Sequence, residues 1–274
     1  MSKTSKKVLD RIASELKRFQ PILSSAKARD VNESDTVTII VDLLQYLFGY
    51  DKYSEITSEH AIRGTFCDLA IKVDGALCFL IEVKSIGTDL RDNHVKQGVD
   101  YAANQGVDWV ILTNGTVWRV FKVGFDKPIT AEEVLTVDLL AINPKDIDGI
   151  QLLALIAKES WEKSHLDTHH AHKKVLNRHV LGAVLMSETV IDTIRRELRR
   201  ISGDGKFTEE EVRKTLASEV IKREVLEDSK ASDAQKMVSR AAKKVIRKVQ
   251  VEITPPSSEA KTDSGAVTPE SSKE

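Results

Sequence analysis

Asp68, Glu82 and Lys84 are the residues of this chain whose types and spacing could do chemistry on a phosphate. Carboxylates are depleted in strands, yet Asp68 sits within the apolar run 67–73 and Glu82 within the run 77–83. Period two puts Cys67, Leu69, Ile71 and Val73 on one face of the first run and leaves Asp68 on the other. In the second run Leu77, Phe79, Ile81 and Val83 share a face, and Glu82 and Lys84 take the opposite one. Two carboxylates converging from neighbouring strands can hold Mg²⁺, a hard cation that takes oxygen ligands and keeps several of its waters, and Mn²⁺ is expected to substitute for it. Lys84 would lie beside that ion, where an ammonium stabilises negative charge at phosphorus. The combination suits phosphodiester hydrolysis.

Whether the carboxylates meet depends on the turn between the runs. A two-residue turn at Asp74-Gly75 sets Val73 against Ala76 and Asp68 against Ile81, which sends Asp68 and Glu82 to opposite faces. A three-residue loop, Val73-Asp74-Gly75 with Gly75 left-handed, pairs Lys72 with Ala76 and Asp68 with Leu80, and brings Glu82 onto the face of Asp68 at a diagonal of about 7–8 Å. The chemistry therefore predicts the odd loop, or a bulge with the same effect.

The elements needed to hold these residues are legible around them. Val8, Leu9, Ile12 and Leu16 have helical spacing, as do Val37, Ile40, Val41, Leu44, Leu47 and Phe48, which stop at Gly49. Five short β-rich runs lie between 54 and 122, the last two joined by a tight hairpin at Asn114-Gly115. One helix interrupts them over 89–104, with Gly106 near its C-terminal cap. The expectation is an α/β fold: a mixed sheet flanked by helices over 1–145. From 146 to 251 only helical periodicity is left, at 150–163, 188–201, 208–227 and 232–250, the third opening on the capping box of Thr208 and Glu211. Residues 252–274 are rich in Pro, Ser and charge, and are expected to be a disordered tail.

Composition narrows the function classes. Of 274 residues 41% are hydrophobic and 30% charged, and no apolar stretch approaches a membrane span, so a soluble protein with a cytosolic address is expected. The basic start lacks the apolar run of a secretory signal. Two cysteines, Cys67 and Cys78, are too few for a disulfide scaffold or a four-cysteine zinc module, and are expected to be small apolar strand residues. No phosphate-binding loop of the GxxxxGK[ST] type occurs, so no NTP-driven motor is expected in this chain. Net charge is −1, but 173–251 carries +7 against −5 for 1–172, so anionic partners belong on the helical region. There Lys236, Arg240, Lys243 and Arg247 are spaced 4, 3 and 4 along one helix face, a candidate stripe for DNA phosphates or a partner. His165, His169 and His172 share a helical face, read as solvated surface rather than a zinc site.

Residues 30–125 resemble the PD-(D/E)xK nucleases, and within them the N-terminal nuclease domain of type I restriction enzyme R subunits. The resemblance rests on Asn32-Glu33-Ser34-Asp35-Thr36, Gly49-Tyr50, Glu59 followed by Asp68, Ile81-Glu82-Val83-Lys84, Gln97 with Tyr101, Leu112-Thr113-Asn114-Gly115 and Trp118. It implies a restriction-endonuclease-like fold in which Asp68 and Glu82 bind the metal, Lys84 is the catalytic lysine and Glu33 supports the metal shell from the preceding helix. It also implies a place for Gln97 beside the active site or DNA, with Tyr101 mainly structural. Glu33 could instead be the N3 residue of a capping box on Asp30, although its place one turn before Val37 points it inward. Glu59 is read as a strand-end surface charge. The implied activity is a Mg²⁺-dependent DNA endonuclease of a restriction or genome-defence system, lacking its own helicase motor. Its partners would be DNA, other defence subunits or a second copy. The alternative is an inactive or partner-dependent nucleic-acid-binding module of such a complex.

Overall fold

The structure is a computed structural model that describes residues 4–62, 65–203 and 205–253; the side chains of 59–66 and 244–253 are outside that description. Residues 254–274, most of the expected tail, also lie outside it. The chain divides between Lys174 and Val175 into two compact units.

The first unit opens with α1 (Lys6–Ala28), whose Val8, Ile12, Leu16, Phe19, Leu23 and Ala26 recur every three or four residues and are all buried. Helix α2 (Glu33–Asp42) follows and continues through a π turn over Leu43–Leu47, ending at Gly49 with φ +85°. A Cβ there would stand 2.8 Å from the Arg11 guanidinium, so the glycine serves the close approach as well as the turn. Tyr50 is buried and donates from its hydroxyl to the Ile156 carbonyl at 2.8 Å, a packing role.

Six strands form one mixed sheet in chain order: β1 (Ile56–Ile62), β2 (Thr65–Val73), β3 (Ala76–Val83), β4 (Trp109–Thr113), β5 (Val117–Gly124) and β6 (Thr130–Asp138). All neighbours are antiparallel except β3 and β4, which run parallel because α3 (Asp92–Gln105) crosses between them. Strand β6 is a sixth where five were expected. Residues 130–133 at its start are exposed, and only Val134, Leu135 and Val137 are buried, so alternation marks just its second half. Against one sheet face lie α1, α2 and α4 (Ile147–Ala154) over Leu69, Ile71, Phe79, Ile81, Ile111 and Trp118; against the other lies α3 over Ala70, Leu80, Val110 and Phe121. Cys67 belongs with the α3 side, not with Leu69 as strict alternation expects.

Two further helices, α5 (Lys158–Trp161) and α6 (His165–Val175), close the first unit. The change from strands to helices near 145 and the division at 174 thus fall at different points, because these helices pack with the sheet: Leu166 joins the core and Lys122 ties Asp167 at 2.8 Å.

The second unit holds α7 (Arg178–Leu185), α8 (Glu188–Ser202), α9 (Glu209–Thr215), α10 (Arg223–Glu227) and α11 (Ser229–Ile253). The single helix expected over 208–227 is broken by a π turn over Leu216–Val220 and by Ile221, whose backbone is extended. The Thr208 and Glu211 capping box forms in both directions. Val180, Ala183 and Ala234 form a small core, with Met237 and Val238 packed on it. No helix among the described residues is long and apolar enough to cross a membrane.

Candidate active site

The hairpin between β2 and β3 decides the site. Asp74 and Gly75 take φ of +50° and +79°, the two left-handed residues of a two-residue turn, and Val73 faces Ala76. The loop is therefore even, not the three-residue loop expected. One pair further on, Lys72 faces Leu77, and then the register shifts: Ile71 faces Phe79 and Cys78 is left over. This bulge supplies the odd residue that the turn does not. Leu69 then faces Ile81, the last pair of the ladder; one residue beyond it on each strand stand Asp68 and Glu82, near enough that the Asp68 charge acts on the Glu82 carboxyl, and Glu82 lies on the α3 side beside Gly98.

The two carboxylates differ in environment. Asp68 is partly exposed, and its Oδ2 accepts from the buried N–H of Val83 at 2.6 Å. Glu82 is 4% exposed; its Oε1 accepts from Lys84 Nζ at 2.7 Å, while its Oε2 is buried with no hydrogen-bond partner. Burial pushes the Glu82 carboxyl above its ordinary value, and the charges of Asp68 and Glu33 add to that against the pull of Lys84. For Lys84 burial acts to lower the ammonium, but its bond to Glu82 and the charges of Glu82, Glu33 and Asp68 outweigh it and raise the value. The lysine stays charged, as a donor and a cation rather than a base. Lys84 Nζ also donates to the Val83 carbonyl at 2.9 Å and lies 3.9 Å from Glu33 Oε2.

Glu33 is the first residue of α2, capped by Asn32, whose side chain accepts from Asp35 N. The capping box on Asp30 is not made. Nor does Glu33 point inward: its side chain is 52% exposed, and Thr36 and Ile40 carry the buried face. It reaches the site from its rim, through Lys84.

Gln97 lies on α3 and is exposed, while Tyr101, one turn on, is buried in the α3-side core. Between them Gly98 carries a role that sequence reasoning missed: a Cβ there would stand 3.0 Å from Val110 and 3.9 Å from the Glu82 Cβ. The missing side chain lets α3 lie down on the strands at the site, and a lone glycine inside a helix was the available signal. Glu59 lies on β1 between Ser58, which faces Leu69, and His60, which faces Cys67, level with Asp68; its side chain is outside the described residues.

The donor set fits a hard divalent cation in one respect: two carboxylates share a face and one buried carboxylate oxygen lacks any partner. Among the described residues no three His, Cys, Asp or Glu side chains converge as a ready-made metal cluster. Cys67 is close enough to Asp68 and Glu82 to feel their charges, but burial foremost pushes its thiol up to about 12, so it stays protonated. The histidines of α6 are not uniformly solvated as expected. His165 is buried with Nε2 unpartnered, and His170 bonds Glu132 at 3.0 Å and stands edge-on to Trp109. In the second unit Lys236, Arg240 and Lys243 are exposed along α11, Lys236 near Asp233 at 3.3 Å; the Arg247 side chain is outside the described residues.

Residues 38–135 match the family described as the type I restriction enzyme R protein N terminus (HSDR_N). The match supports an HSDR_N-like domain over this segment. It spans β1 to β5 and most of β6, and so contains Asp68, Glu82, Lys84 and Gln97, while Glu33 precedes it. No curated protein and no solved structure matches the chain.

Proposed function

We propose that the HSDR_N-like domain is the catalytic part of a Mg²⁺-dependent DNA endonuclease of the restriction type. The observation that carries this is the bulge at Cys78, which spends an irregular residue to set Asp68 and Glu82 on one face with Lys84 bonded to Glu82. Asp68 and Glu82 would hold the ion through Asp68 Oδ1 and the orphaned Glu82 Oε2. When bound, Mg²⁺ neutralises charge on the phosphate and acidifies the attacking water. Lys84, with two of its three N–H groups on Glu82 and Val83, offers the third to the water or a phosphate oxygen. Glu33 holds the ammonium from the rim, and Gln97 lies on the helix that covers the site. One site cuts one strand, so a double-strand break requires two copies or two encounters. Lys236, Arg240, Lys243 and Arg247 are assigned to DNA phosphates, which would position the substrate without reading its sequence.

A second reading has an observation in its favour: Lys84 closes onto Glu82, and among the described residues no third ligand completes a cluster. That suits a protein whose site is completed only by DNA or a defence subunit. The test is cleavage of supercoiled and linear DNA with Mg²⁺ or Mn²⁺ by the parent, Asp68→Asn and Lys84→Ala. Cutting by the parent alone, with DNA binding kept in all three, supports the enzyme. Cutting that survives both substitutions refutes the site, and binding without cutting moves the partner-dependent reading ahead.

A further inference from the structure

The β4–β5 turn does more than join two strands. Asn114 is 6% exposed, and its Oδ1 accepts from Thr116 N at 3.1 Å, Thr116 Oγ1 at 3.0 Å and Val117 N at 2.8 Å. Those three bonds complete the turn. Its Nδ2, however, donates to the carbonyl of Thr88 at 2.9 Å, a residue 26 positions earlier in the segment that follows Lys84. A side chain needed only for the hairpin would have no use for that bond.

Thr88 closes a compact turn of its own. Its N–H donates to the Ser85 carbonyl at 2.9 Å and the two hydroxyls meet at 2.7 Å. Inside that turn is Gly87, where a Cβ would stand 2.1 Å from Asp30 Oδ1 and 3.2 Å from Asp30 Cγ. Asp30 itself has φ +49° and sits in the α1–α2 connection, three residues before Glu33. One end of the turn is fixed by Lys84 N–H on the Thr113 carbonyl at 2.9 Å. The path therefore runs from Asn114 to Thr88 by a hydrogen bond, from Gly87 to the Asp30 carboxylate by close approach, and from Asp30 along the chain to Glu33, which meets Lys84 at 3.9 Å.

We propose that Asn114 is a positioning residue for the Asp68, Glu82 and Lys84 site: its amide holds the turn 85–88, and through Gly87 that turn sets the segment 30–33 at the distance from which Glu33 meets Lys84. This rests on the nuclease reading for its effect on cleavage, but not for the staple itself. The buried Ile86 anchors the turn independently, so the fold survives loss of the staple while the approach of Glu33 loosens.

The experiment pairs hydrogen exchange with steady-state kinetics. Asn114→Asp keeps an oxygen for the three acceptor bonds and loses the donor to Thr88. Amides 85–91 are expected to exchange about tenfold faster with β4 and β5 unchanged. On the cleavage substrate kcat should fall about 10- to 100-fold with KM within about twofold, the signature of misplacement rather than weakened binding. Gly87→Ala, which displaces the Asp30 carboxylate from the turn, should reduce kcat in the same direction, and adding Asp30→Gly, which removes that carboxylate and is tolerated at positive φ, should restore it. Unchanged exchange over 85–91 in Asn114→Asp, exchange that rises equally in β4 and β5, or no rescue by Asp30→Gly would each overturn the proposal. If the parent protein does not cut, the nuclease reading has failed, and the exchange pattern alone decides whether the staple exists.

Discussion

Replacing Asp68 tests both the chemistry and the fold, and the two effects can be separated. Its Oδ2 is the partner of the Val83 N–H at 2.6 Å, and Val83 is fully buried, so no water stands ready to replace it. Asp68→Ala strands that N–H, which costs about 1–3 kcal/mol, while relief of the repulsion between Asp68 and Glu82 returns part of it. Asp68→Asn removes the same charge but keeps an oxygen for Val83. The difference between the two variants therefore isolates the hydrogen bond: alanine should melt below asparagine by about 2–4 °C for each kcal/mol, for a unit of this size. Thermal unfolding followed by circular dichroism in EDTA measures it, with DNA cleavage in Mg²⁺ run on the same preparations. Both variants should fail to cut, and asparagine should melt at or above the parent. Midpoints for alanine and asparagine within about a degree of each other would refute the assigned role of Asp68 in holding β3, and cutting by asparagine would refute its role toward the metal.

Gly98→Val starts a side chain 3.0 Å from Val110, and this overpacking should lower stability by about 1–3 kcal/mol, seen as a reduced denaturation midpoint. Burial alone would raise the Glu159 carboxyl, but its two bonds to Arg11, at 2.6 and 2.9 Å, outweigh that and hold it below the ordinary glutamate value. That contribution is present above the unfolded carboxylate range and is lost as pH falls through the lowered folded value. Glu159→Gln should therefore melt below the parent at neutral pH by no more than about 1 kcal/mol, since both groups are about a third exposed, and the gap should close as the pH falls through the lowered carboxyl value. Replacing Lys236, Arg240 and Lys243 with alanine should flatten the salt dependence of DNA affinity by about 0.9 for each phosphate no longer neutralised, read by fluorescence anisotropy over a salt series.

The sheet and its flanking helices are legible in the sequence because period two and period 3.6 are written into residues such as Leu69, Ile71, Phe79 and Ile81, and Val8, Ile12 and Leu16. The pairing of Asp68 with Glu82 is legible as a requirement, but how the chain meets it is not. Turn residues announce themselves, whereas a bulge at Cys78 has no residue signature and is settled by which faces the neighbouring strands must bury. Strand β6 is hard to see because half of it faces water. Glu33 keeps its place in line with Thr36 and Ile40, but as the first residue of α2 its side chain is half exposed where theirs are buried, which spacing alone does not show. Gly98, Gly87 and the amide of Asn114 act between segments distant in sequence, which spacing within a segment does not reveal.

Since face parity is settled at Cys78, the tip of the β2–β3 hairpin is released from any part in it. Asp74, Gly75 and Ala76 are exposed, and a Cβ on Gly75 would touch nothing within 4 Å. The tip is thus a graft point: a dye-bearing residue, an epitope or a whole folded insert placed between Asp74 and Gly75 extends into solvent with the carboxylates still facing each other. A single residue inserted or deleted between Cys78 and Glu82, by contrast, turns the Glu82 carboxylate over to the α1 side of the sheet.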